Sequence, residues 1–245
     1  MHRRSALVSQ DQLEQRIRDY TPKDFAGALR GPGLAVIAEM KQRTPSQGII
    51  SDDYRPFELA RAYEEGGAAA ISVLTHMAGF GGRPEHVQEA RQATSLPILR
   101  KDFITDPFEV GEARAAGADA ILLVVGALAP ADLRRLIAVS KSRGLAALVE
   151  VHDAEQTRVA LDAGAEIIGV NHRDLRTFAI DLGLTARLRP LIPKEVVLVA
   201  ESGVRSSADA QRLREAGADA VLVGESLMRA ADPAAVIAEL RSGAA

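Results

Sequence analysis

Five charged side chains stand where apolar runs of the sequence stop: Glu39 and Lys41 after LAVIA, Lys101 after LPILR, Glu150 after LAALV and Glu201 after EVVLVA. Asn171 closes a further run, EIIGVN, with Arg173 two residues on, and Ser202 follows Glu201. A single Lys or Glu at such a place marks only the water, but here the spacing says more. Alternate residues of a strand share a face. Glu39 and Lys41 therefore face the same way as Ile37, Lys101 as Leu99, Glu150 as Leu148 and Glu201 as Val199. If those apolar residues fill an interior, ammonium and carboxylate groups ring its mouth, while Arg100 and Asp102 point outward to helices or solvent. Acids and bases gathered in that way pair, and burial beside opposite charge tunes their proton affinities for acid–base work.

The elements that must position these groups are eight short apolar runs, at 34–41, 69–75, 96–101, 119–125, 145–151, 166–171, 195–201 and 219–224. Helical patterns lie between them, such as PFELARAYEEG, DPFEVGEARAAG and APADLRRLIAVSKSRG. Several open with Pro, Asp or Ser and close with Gly, as helix ends prefer. Strands alternating with helices require parallel pairing through crossovers. Four variants of one theme recur: YEEGGAAAISVL, EARAAGADAILL, VALDAGAEIIGV and RLREAGADAVLV. Their glycines, Gly67, Gly117, Gly164 and Gly217, each sit at a helix-to-strand junction. The pattern predicts an α/β fold, a (β/α)8 TIM barrel, with a doubly wound sheet as the second choice. A single domain over 1–245 is expected, with a short helical N-terminal extension (1–33) packed on a barrel (34–245). In such a barrel the strand ends that carry the charges form the catalytic face.

Composition narrows the function. The chain has 245 residues, of which 47% are hydrophobic and only 4% aromatic, so aliphatic side chains must fill the core. A net charge of −3 with interspersed signs offers no basis for binding nucleic acid or an anionic membrane. Without cysteine there is no disulfide and no thiolate metal site. The start, MHRRSALVSQDQ, lacks the apolar run of a secretory signal, and a cytoplasmic protein is expected. No dinucleotide fingerprint, Walker loop or metal-ligand cluster is found. His152 and His172 read as surface or supporting residues, and no metal is expected. Gly203 and Gly224 follow the last two strands, with Ser202 and Ser226 beside them. Glycines there let backbone N–H groups approach an anion, a frequent phosphate site in barrels.

Six motifs, in order between about Asp24 and Leu240, carry a resemblance: IAEMKQRTPSQG, LPILRKDFITDP, ALVEVHD, GVNHRDLRTF, AESGVR and VGESLMR. Together they resemble the indole-3-glycerol-phosphate synthase family of tryptophan biosynthesis. The resemblance implies a carboxy-lyase without cofactor or metal. Its substrate would be 1-(2-carboxyphenylamino)-1-deoxyribulose 5-phosphate, closed to indole-3-glycerol phosphate with loss of carbon dioxide and water. It implies Lys101 as general acid, and Lys41 at the substrate carboxylate and as acid for dehydration. Glu39 would hold Lys41, and Glu150 would be base or proton relay. Asn171, Arg173, Glu201 and Ser202 would orient the substrate, with Phe80 and Phe103 at its ring. Thr44, Gly203, Gly224, Glu225 and Ser226, beside Ser202, would take the phosphate. The partner expected is that phosphorylated small molecule, bound by a monomer or weak homodimer. The sequence departs from the family at 75–82, THMAGFGG, where an acidic pair, a Lys and one aromatic are replaced. This Gly-rich stretch is expected to be more mobile. Thr44 replaces a usual Ser, and His172 a usual Asn. Two alternatives accompany the main reading: a paralogue for a substituted aryl-amino sugar phosphate, and a barrel that binds a phosphorylated ligand without turnover.

Overall fold

The structure, a computed structural model, describes residues 10–18, 20–44, 48–174 and 176–242. Eight parallel strands close on themselves: β1 (Ala35–Met40), β2 (Ala70–Leu74), β3 (Ile98–Lys101), β4 (Ala120–Val124), β5 (Ala146–Val151), β6 (Ile167–Asn171), β7 (Val197–Glu201) and β8 (Ala220–Val223). Closure, with β1 bonded to both β2 and β8, decides for the barrel over the open sheet. The strands match the expected runs, trimmed at their starts. β3 begins at Ile98 because Pro97 has no N–H to give.

The repeated glycines are the turning points. Gly67, Gly117, Gly164 and Gly217 have φ of 81°, 92°, 88° and 90°. The residue after each donates its N–H back into the helix that has just ended, as Ala68 does to Tyr63 and Ala118 to Ala113. This left-handed termination reverses the chain in two residues and feeds the next strand at once.

Strand parity sorts the core into two parts. Ile37, Leu99, Leu122, Leu148, Val199 and Leu222 fill the barrel interior. Val36, Ile71, Ile121, Val149, Leu198 and Val221 pack outward under the helices. The N-terminal extension includes the helices Gln10–Arg18 and Phe25–Ala28. Phe25 and Leu29, both buried, close the interior at the end opposite the charged strand termini. Asp119 anchors this closure: its carboxylate accepts bonds from Tyr20 Oη (2.6 Å), Lys23 N (2.6 Å), Ile98 N (2.7 Å) and Arg91 Nη1 (3.0 Å).

The departing stretch after β2 is not an open Gly-rich loop. Met77–Phe80 form one helical turn, ended by Gly81 at φ 69°. Gly82 lies so close to the end of β2 that a Cβ there would stand 2.2 Å from the Leu74 carbonyl oxygen.

Candidate active site

Glu39, Lys101, Glu150 and Glu201 come from β1, β3, β5 and β7, the odd-numbered strands. In a closed eight-stranded barrel, alternate strands contribute the four side chains of one interior layer. Here the last layer before the mouth is charged. Lys101 Nζ lies 2.5 Å from Glu201 Oε2, across the barrel, and 3.5 Å from Glu39 Oε2. Lys41, just beyond β1, sits 2.6 Å from the other oxygen of Glu39. Glu39, Glu150 and Glu201 are all buried. Glu39 and Glu150 line, with both lysines, a cavity of about 700 Å³. Glu201 is the one cluster carboxylate set back from the cavity wall, with Oε1 buried and unbonded. The resemblance implied Glu201 among groups that orient a substrate; its direct partner here is Lys101.

Three buried carboxylates against two ammonium groups leave an excess of negative charge, and the proton affinities follow. Burial works against the Lys101 ammonium, but Glu201, Glu39 and Glu150 outweigh it and hold its pKa above the ordinary lysine value. Burial likewise opposes ionisation of Glu39, yet Lys41 and Lys101 keep its carboxyl below the usual range. Glu201 is pushed up to about 7 by burial, with Glu150 and Glu39 adding to the push against the pull of Lys101. The folded state therefore holds a proton on Glu201 more tightly than the unfolded chain does, and this contribution to stability fades as pH rises through about 7. Glu201→Gln cannot titrate there. Its Tm relative to the parent should become more favourable between about pH 5.5 and pH 8, by a few degrees. A difference independent of pH would show the carboxylate already ionised at the acid end.

The remaining expected residues lie around the same cavity: Thr44, Phe80, Phe103, Asn171, Arg173, Ser202, Gly203, Gly224, Glu225 and Ser226 all line it. Ser202 and Gly203 have consecutive positive φ, 67° and 90°. His172 holds that turn: it is buried, donates from Nδ1 to the Ser202 carbonyl (2.9 Å) and meets the Thr185 hydroxyl at Nε2 (2.7 Å). Burial lowers its pKa, so it acts as a neutral strut. Only Gly224 stands directly at a helix start, before Glu225–Arg229. Gly203 is separated from its helix by three residues, the last of which, Ser206, caps it.

One orientation is corrected. Arg100 does point outward, buried and paired with Glu112 (3.1 Å), but Asp102 lines the cavity. The strand ends at Lys101, so alternation no longer governs the next residue. Asp102 accepts from Thr75 Oγ1 (2.7 Å) and Arg100 (3.2 Å), and His76 Nδ1 approaches it at 3.3 Å. His76 also meets Phe103 edge-on, with ring centroids 5.2 Å apart. The sequence reading missed His76, Asp102, Arg205 and Arg229 as cavity residues. The two arginines end the motifs AESGVR and VGESLMR, which was the available signal.

A closed (β/α)8 barrel whose odd strands end in a charged layer under a wide cavity defines a barrel enzyme of acid–base chemistry. Solved structures agree on the fold: thiamine phosphate pyrophosphorylase from Pyrococcus furiosus superposes with a TM-score of 0.67 at 20% identity, covering 86% of this chain and 95% of the other. A 3-hexulose-6-phosphate synthase gives 0.67 at 17%, covering 86% and 100%. The family model for indole-3-glycerol phosphate synthase matches residues 1–240. "Indole-3-glycerol phosphate synthase 2" of Streptomyces coelicolor is 59% identical over 96% of this chain and 92% of its own. The indole-3-glycerol phosphate synthase of Mycolicibacterium vanbaalenii is 50% identical over 97% and 88%. The chain belongs to the indole-3-glycerol phosphate synthase family, a family of carboxy-lyases.

Proposed function

We propose a division of labour among these side chains for the family's reaction on 1-(2-carboxyphenylamino)-1-deoxyribulose 5-phosphate. The ring carbon bearing the carboxylate attacks the ketone, carbon dioxide leaves, and the former ketone oxygen departs as water. The oxygen gains two protons in all, and the neighbouring methylene loses one. Lys101 gives the first proton, at the ketone oxygen, and Lys41 the second. Lys41 also faces the substrate carboxylate, held in place by Glu39. Glu150 takes the methylene proton. Glu201 sets the charge state of Lys101.

Asn171 and Arg173, with Ser202, orient the substrate's polar groups, and Phe80 and Phe103 wall its ring. Thr44, Ser202, Gly203, Gly224, Glu225 and Ser226 take the phosphate, the last two chiefly through backbone N–H. The buried, unpartnered Ser226 hydroxyl on the cavity wall supports that end. Gly224 also leaves space for the acid–base pair: a Cβ there would lie 2.6 Å from Glu39 Oε1 and 3.0 Å from Lys41 Nζ.

The observation that carries this reading is the convergence of Lys41, Lys101 and Glu150 on one cavity. These groups gather within one barrel, in keeping with a monomer or a weak homodimer. The charge balance supports a partner list without nucleic acid, and the cysteine-free sequence suits the cytoplasm. Among the described residues no helix is long and apolar enough to cross a membrane. Incubation with the substrate, followed at the indole absorbance, should show product. Binding of the substrate without any rise in absorbance would leave only a phosphate-ligand binder.

A further inference from the structure

His152 is the first residue past β5, two residues after Glu150. Its Nε2 is buried, has no hydrogen-bond partner and lies 3.5 Å from Glu150 Oε1. Its side chain keeps 18% exposure, while Glu150 is buried. Glu150 lines the cavity and His152 does not. The carboxylate thus stands between the cavity and an imidazole that reaches solvent. Gln156 accepts the His152 backbone N–H (3.0 Å), which ties the residue to the helix Ala154–Asp162. Asp153, the nearest other acid in sequence, is turned to the Gln156 N–H (2.8 Å) as that helix's cap. Among the described residues the ion pair of His152 is with Glu150 alone.

We propose that His152 is the proton exit for Glu150, a relay from the cavity to solvent on the far side of the carboxylate. The inference rests on Glu150 as the base of the reaction. Glu150 takes the methylene proton as the C–H electron pair forms the new ring double bond, and becomes a neutral acid. Its O–H then closes the 3.5 Å gap and donates to Nε2. That leaves the carboxylate regenerated and the ring an imidazolium, which releases its Nδ1 proton to water. The ring recovers its first tautomer by exchange with solvent. A buried nitrogen left unbonded costs free energy in the resting state, and the relay makes its bond only when the proton arrives. Among the described residues no other imidazole is paired with Glu150, and a relay of this kind returns the base to its ionised state while substrate occupies the cavity side.

The test measures kcat, KM and Tm for Glu150→Gln, His152→Ala and His152→Gln, with and without added imidazole. His152→Ala should lower kcat about 10-fold or more at nearly unchanged KM. Imidazole should restore it severalfold. His152→Gln, which fills the space but cannot pass a proton on, should stay low and respond little. Full kcat in His152→Gln overturns the relay. So does loss in His152→Ala without rescue, which would assign the residue to positioning. Normal turnover in Glu150→Gln would instead remove the base assignment on which the relay stands.

Discussion

Replacing Lys101 by Met lowers kcat on the order of 10³-fold, with KM changed little. A positioned general acid contributes about 10² to 10⁴ in rate, and the Lys101 ammonium is gripped by Glu201 at 2.5 Å and Glu39 at 3.5 Å. That grip holds it protonated and fixed under the cavity, the state an acid needs before the ketone arrives. Met keeps most of the volume, so loss of activity with a retained fold isolates the charge. Three buried carboxylates then face Lys41 alone, and their repulsion should appear as a lower Tm at alkaline pH. Lys41→Met separates the two acids. If Lys41 serves dehydration, carbon dioxide is released faster than indole absorbance grows, and a decarboxylated, still hydroxylated intermediate accumulates. In Lys101→Met neither signal precedes the other, because ring closure itself is blocked. Near-normal kcat in Lys101→Met would remove the central assignment. Parallel loss of both signals in Lys41→Met would confine that residue to binding.

The sequence revealed the charged layer because barrel strands alternate strictly and stay buried on both faces. From Ile37, Leu99, Leu148 and Val199 alone, parity already aimed Glu39, Lys101, Glu150 and Glu201 inward, and the interior core is built from those same residues. Parity says nothing about which groups meet. Lys101 and Glu201 are 100 residues apart, on strands that face each other across the barrel, and only closure brings them together. Asp102 was misdirected because alternation ends where the strand does. His172 gave no local sign of its work, since the carbonyl it holds lies 30 residues on. The stretch at 75–82 looked like a loop because glycines dominate it. In the fold Gly81 ends a helical turn and Gly82 admits the close approach of β2. Glycine in sequence marks a backbone or packing need without saying which one.

Gly169 shows the same ambiguity with the larger consequence. It lies inside β6, between β5 and β7, paired with Glu150 on one side and Val199 on the other. A glycine inside a strand ordinarily weakens it, so Ala would be expected to stabilise. Here the opposite sign is expected. A Cβ at 169 would stand 2.0 Å from Glu201 Oε1 and 3.2 Å from Leu148 Cδ1. Side-chain ends can swing aside, but this one is held by Lys101 through its other oxygen, at 2.5 Å. Gly169→Ala must displace the carboxylate, and with it the ammonium that Glu201 positions. Overpacking of a core costs about 1–3 kcal/mol. Misplacing a catalytic group by about 1 Å costs on the order of 10²-fold in rate. Both losses should therefore appear together, as a lower Tm and a lower kcat. The double variant Gly169→Ala with Glu201→Ala separates the clash from the chemistry. With the carboxylate gone the new methyl group has room, so Ala at 169 should no longer destabilise in that background, while activity stays low. Such coupling between touching residues is what a double-mutant cycle reads. Additive effects, or full activity in Gly169→Ala, would show that the hollow at Gly169 does not place Glu201.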